Sequence, residues 1–206
     1  MEHSTQLTQA LELAGVALKA NDNGELALPL RKRLWSAMGP RKADGARAIL
    51  GPGLQRRTTL AILTVRHVLP IWETAFPTNH KPEWMLAVAQ EYLDQLTDFQ
   101  TVRGLNNLFW SELDCLGSVA VAVGYAAAQS VTTALSDERF DPAALDTVVS
   151  DQDLDPYQWD ASFYASVAYA GSAPWEEKPH TNRRREFWTW FLEVAVPAAW
   201  DSASQT

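Results

Sequence analysis

The sequence predicts an all-α protein, a single-domain multi-helix bundle over residues 1–206 built around a buried small-residue central helix at about 115–136. Three observations lead there. First, the stretch from Cys115 to Ser136, CLGSVAVAVGYAAAQSVTTALS, carries no charged residue between Asp114 and Asp137. A helix of that length spans about 33 Å, enough to cross a bilayer. Ala, Gly and Val dominate it, however, and Ser118, Gln129, Ser130, Thr132 and Thr133 would each need a partner in lipid. Small residues suit instead a helix packed on several sides by close neighbours. Second, no window alternates apolar and polar residues over a β-branched run, so no strand is predicted. Third, Pro and Gly punctuate the chain into about eight segments of helical periodicity, the central one included.

Taken in order, Ser4 caps a first helix whose Leu7, Leu11, Ala14 and Leu18 share one face, ending near Asn23-Gly24. A second starts around Pro29 and carries Leu30, Leu34, Trp35 and Met38 to the Gly39-Pro40 stop. The basic connection RKADGARAILGPG holds at most a short helical turn. Leu54 to Phe76 is helical again, and Pro70, without an N–H, predicts a kink or restart near Val68. Pro82 opens a long amphipathic helix with Trp84, Leu86, Val88, Tyr92, Leu93 and Leu96 on its apolar side. A short helix over 106–113 leads into the central one. Asp141-Pro142 and Asp155-Pro156 read as two N-cap-plus-proline helix starts. In the second, Trp159, Phe163 and Val167 repeat every four residues and Gly171 ends the helix. A last helix runs from Thr181.

Composition narrows the class. Nine Trp and 20% charged residues in 206 exclude a disordered chain. The single cysteine, Cys115, excludes an intramolecular disulfide, and its place in the apolar stretch predicts a buried thiol. The N-terminus lacks a basic n-region and an unbroken apolar h-region, which predicts a soluble, cytoplasmic protein with no membrane partner.

The net charge of −8 conceals a segregation: residues 31–57 hold eight Lys/Arg against Asp44, and residues 137–160 hold eight Asp/Glu against Arg139. Either the two segments neutralise each other, or the acidic one forms a face for a basic partner. The basic cluster has one aromatic, Trp35, and no recognition motif, which argues against nucleic acid.

No catalytic or cofactor constellation is assembled. No HxxxH or HExxH spacing occurs among His3, His67, His80 and His180. Glu177-x-x-His180 contains Pro179 and has no second copy, so no metal is predicted there. Asp151, Asp153 and Asp155 alternate like a calcium loop, but Pro156 and Ser162 stand where Gly and Glu are needed. Glu73 and His67 flank the Pro70 kink, and a pocket there is the alternative reading, a small helical enzyme or ligand-binding domain.

The last helix, TNRRREFWTWFLEVAVPAAW, is the most distinctive stretch. Three arginines at its start oppose the helix dipole and predict carboxylate partners in Glu176, Glu177 or residues 137–160. Its pattern through Arg184, Phe187, Trp188, Trp190 and Pro197 resembles the C-terminal signature of an all-α immunity-protein family, family five and its relatives, from bacterial polymorphic-toxin systems. Trp72-Glu73-x-x-Phe76-Pro77 and Pro82-x-x-Met85-Leu86 are similar to that family too. The resemblance implies a non-enzymatic inhibitor that binds a cognate toxin and occludes its active site, without a cofactor. Charge placement alone then nominates Asp151, Asp153, Asp155, Asp160, Trp175, Glu176 and Glu177 as contacts to a toxin with a basic cleft. A third reading, an adaptor pairing with another subunit through the last helix, would be supported by exposure of Trp188 and Trp190.

Overall fold

The structure, a computed structural model, describes residues 4–145, 147, 149–176 and 180–202. Helix α1 (Thr5–Ala20) opens on Ser4, whose hydroxyl accepts the Leu7 N–H at 3.2 Å, and buries Leu7, Ala14 and Leu18. Helix α2 (Leu28–Ala37) has Pro29 in its first turn. The basic connection then forms a small antiparallel hairpin, β1 (Ala43–Asp44) on β2 (Arg47–Ala48), not a helical turn. Asp44-Gly45 supplies the reason, since Gly45 takes φ +57° in a two-residue turn, and strands this short show no alternation. Helix α3 (Pro52–Ala75) runs through Pro70 without restarting. Pro70 and Arg66 are both exposed, so the Arg66 carbonyl that loses its bond is on the solvent side.

Helix α4 (Lys81–Leu93) stops short of Leu96, which is exposed, as is Trp84; neither lies on its apolar face. Helix α5 (Phe99–Leu113) starts earlier than the sequence suggested, because Asp98 accepts the Gln100 and Thr101 N–H groups at 2.9 and 3.1 Å. The central helix α6 (Val121–Ser136) starts later: residues 114–120 are turns, and Cys115 is exposed with its Sγ 3.6 Å from the Ser111 carbonyl. Absence of charge did not mark helix there. Asp141-Pro142 opens only a turn, and Asp155-Pro156 a single 3₁₀ turn (Pro156–Gln158). The helix that follows, α7 (Ala161–Ala170), is capped by Asp160 and ended by Gly171 at φ +80°. The last rod comprises α8 (Thr181–Trp190), a π turn (Phe191–Ala195) and α9 (Val196–Ser202). Pro197 cannot bond the Glu193 carbonyl, and the wider turn before it relieves the clash.

Helix α6 packs against α3, α4, α5 and α7, which is why it is made of small residues. A Cβ added at Gly124 would sit 2.3 Å from a Leu113 methyl and 3.0 Å from the Trp72 ring. Ala126, Ala127, Ala128 and Ala134 are fully buried. Its hydroxyls are satisfied within the helix: Ser130, Thr132 and Thr133 donate to carbonyls four residues back, at 3.0–3.1 Å. Among the described residues no helix is long and apolar enough to cross a membrane. Phe187, Trp188 and Phe191 seal the other side of the core, fully buried where the last rod meets α1, α3 and α7.

Candidate functional site

The segregated charges meet in the interior. Arg31 on α2, with no solvent exposure, donates from Nε to Asp160 at 3.0 Å, from its terminal nitrogens to both oxygens of Asp151, and to the Leu26 carbonyl at 2.7 Å. Arg57 on α3 holds Asp137 through two bonds of 2.6 and 2.8 Å and donates to the Trp35 carbonyl within α2 and to the Gly39 carbonyl just beyond it. Arg184 on α8 reaches Glu25 at 3.2 Å and the Ser172 carbonyl. Glu25, between Arg31 and Arg184, joins the α1–α2 connection to both the acidic segment and the last rod.

The nominated residues divide. Asp151 and Asp160 are buried counter-ions of Arg31, and Asp160 also caps α7. Asp153 and Asp155 are exposed, as are Trp175 and Glu176; Glu177 lies outside the described residues, and with it the Glu177-x-x-His180 spacing. Glu176 accepts the Ala173 N–H at 2.8 Å and not an arginine. Of the arginine collar, Arg184 pairs directly with Glu25 and also feels the charge of Glu176, Arg185 donates to the Asn21 carbonyl at 2.7 Å, and Arg183 lies 5.3 Å over the Tyr169 ring. Trp188 is fully buried, and half-buried Trp190 stacks on His67 at 3.6 Å with 7° between the planes, so the two rings are not exposed together as an adaptor reading would favour. Glu73 is exposed and His67 is held between Trp190 and Tyr169, so the pair encloses no pocket near Pro70.

The feature that sequence reasoning missed is a furrow around Tyr157. On one side a hollow of about 170 Å³ is lined by Trp35, Trp159, Asp137, Glu138 and Asp160, with Lys32 and Arg139 also bordering it. On the other a hollow of about 410 Å³ is lined by Asn107, Trp110, Ser111 and Asp114; Gln129, Thr132 and Tyr157 belong to both. Tyr157 is held in place: its hydroxyl and that of Tyr125 both donate to Asp114, at 3.1 and 2.9 Å, its ring lies 5.2 Å from Trp110, and its carbonyl accepts from Gln129. Those bonds to an anionic acceptor raise both phenols, Tyr125 to about 12 with burial as its first cause. No spacing rule brings residues 110, 114, 125 and 157 together, although Tyr157 beside a predicted Asp-Pro start was visible.

Asp137 lines the deeper hollow at φ +64° and ψ 166°, a conformation costly for any residue but glycine and held here by Arg57. Glu138, next in the chain, has no ion pair among the described residues. Its carboxyl is raised to about 8, first by burial, then by Asp160 and Asp137. The Thr133 hydroxyl, 3.0 Å from the Gln129 carbonyl, also lies 2.9 Å from Glu138 Oε1, and that bond opposes part of the rise. Glu25 is likewise raised to about 7 by burial, against the pull of Arg31 and Arg184.

Both carboxyls thus keep protons in the folded state that the unfolded chain releases near 4.5. Between those values the native state binds more protons, so stability declines as pH rises from about 4.5 to about 8. Glu138→Gln is expected to flatten this decline, read as urea midpoints at about pH 5 and about pH 9. Parallel wild-type and variant profiles would remove Glu138 from the account.

No individually curated protein shows significant similarity to the chain. The family model described as Immunity protein Imm5 matches residues 12–198, from within α1 to within α9, and so spans the buried arginine network, the furrow and the aromatic last rod alike. With nearly the whole fold inside that match, the chain belongs to the Imm5 immunity protein family.

Proposed function

We propose that this protein is the cytoplasmic immunity partner of a polymorphic toxin, and that it neutralises the toxin by binding over a basic active-site cleft. Family membership is the observation that carries this reading. The surface is compatible with it: with Asp151 and Asp160 used internally, Asp153, Asp155 and Glu176 remain exposed, with Trp175 and Tyr157 38% and 57% exposed among them. Exposed carboxylates steer encounter with a basic partner, while aromatic rings anchor the complex.

The test is co-expression with the product of the adjacent gene, scoring growth rescue and co-purification together. Rescue with a stable complex is expected; rescue without one would indicate an enzyme that reverses the damage and would overturn occlusion. In the complex, Asp153→Asn with Asp155→Asn is expected to slow association about three- to tenfold at low salt and to reduce its salt dependence, since exposed charges act mainly on the on-rate. Stopped-flow association across a salt series checks this, and an unchanged slope would place the interface elsewhere.

A further inference from the structure

We infer that the furrow straddled by Tyr157 is the toxin-docking surface, and that its deeper hollow receives a Lys or Arg side chain from a basic loop of that partner. The inference rests on the immunity reading and adds where contact is made and by what chemistry.

The rings are set before any partner arrives. Trp110 lies 5.1 Å from Tyr125 and 5.2 Å from Tyr157, and both phenols are tied to Asp114. A 57% exposed tyrosine fixed in this way loses little freedom on binding, as an interface anchor should. The charges then select the guest. Asp137 is taken up by Arg57, Asp160 by Arg31 and Asp114 by the two phenols. Glu138 alone among the acids lining the furrow has only the Thr133 hydroxyl. Its neighbours are Asp160 at the start of α7, Asp137 at the end of α6 and Arg57 on α3, and Asp160 and Asp137, each already paired with an arginine, leave, among the described residues, no free cation at depth for an anion. Lys32 on α2 and the exposed Arg139 border the same hollow and offset part of this charge without pairing with Glu138.

A guanidinium or ammonium that enters beside Tyr157 and Trp159 gains ring faces and a carboxylate together. Glu138 then gives its proton to solvent as the cation arrives, so one positive charge replaces another in the hollow. Complex formation accordingly releases a proton and tightens as pH rises toward the pKa of Glu138 in the free protein.

The experiment uses the full chain and two small probes, N-acetyl-arginine methylamide and N-acetyl-glutamate methylamide, followed by the Trp35 and Trp159 indole N–H signals in NMR titrations. Saturable shifts with the arginine probe are expected. Glu138→Gln should weaken that binding about tenfold, the loss of one charge-assisted bond, and Arg139→Ala, at an exposed position, should tighten it. No shift, a shift indifferent to Glu138→Gln, or preference for the glutamate probe with weakening by Arg139→Ala would overturn the inference. Failure of the probe alongside a stable toxin complex removes this surface and leaves the immunity reading; failure of rescue removes that reading whatever the probe does.

Discussion

Replacing Arg31 by Met is expected to cost the fold about 3–5 kcal/mol, the range for breaking a buried ion pair by removing one partner. The side chain has no solvent exposure, and its loss strands Asp151, Asp160 and the Leu26 carbonyl, while Glu25 keeps only Arg184. Burial opposes the Arg31 charge, and the two aspartates more than offset it, so the guanidinium is held ionised. Lys at this position should not rescue, because a point charge cannot reproduce a fork that serves two carboxylates and a carbonyl. Adding Asp151→Asn and Asp160→Asn to the Met variant should recover part of the loss, since the penalty is mostly uncompensated charge. Urea unfolding followed by circular dichroism checks all three. A loss below about 1 kcal/mol for the Met variant, typical of an exposed pair, would mean that the network does not hold the acidic segment to α2.

Trp188→Ala is expected to be as severe, about 3–5 kcal/mol, by a different mechanism. Its ring meets Phe187 at 5.0 Å and Phe191 at 5.2 Å, both nearly edge-on, and the Arg31 guanidinium lies 5.4 Å over it. Truncation opens a cavity between the last rod and the core and strips the guanidinium of its aromatic cover. Trp188→Phe should keep most of the stability. Because the ring and Arg31 touch, the double variant Arg31→Met, Trp188→Ala should lose less than the sum of the single losses. Thermal and urea midpoints of the four proteins read this directly, and strict additivity would show that the two groups are uncoupled.

What was legible in advance follows the range of the physics involved. Ser4, Pro29, Pro82 and Gly171 were readable as helix ends because a cap or a fixed φ acts within one turn of the chain. The run of Ala, Gly and Val marked the central helix because side-chain volume limits how closely α3, α4, α5 and α7 approach. Its start was misplaced by six residues because lack of charge reports neither burial nor helix, as exposed Cys115 shows. The hairpin at Asp44-Gly45 escaped because strands of two residues have no period. Asp98 escaped too, although it is a good N-cap, because no apolar periodicity was recognised behind it.

The sequence by itself determined an all-α chain, the small-residue helix at its centre, the aromatic last rod and, through the signature in that rod, the immunity family. It also showed that basic and acidic residues are segregated. Only the tertiary structure decided what the segregation is for. Arg31 meets Asp151 and Asp160 across 120 and 129 residues, and Arg57 meets Asp137 across 80. Charge pairing depends on distance in space, and once these arginines are buried the low dielectric makes a paired carboxylate a structural part. Asp153, Asp155 and Tyr157 stay exposed outside that network, and the furrow around Tyr157 borders it through Asp137 and Asp160.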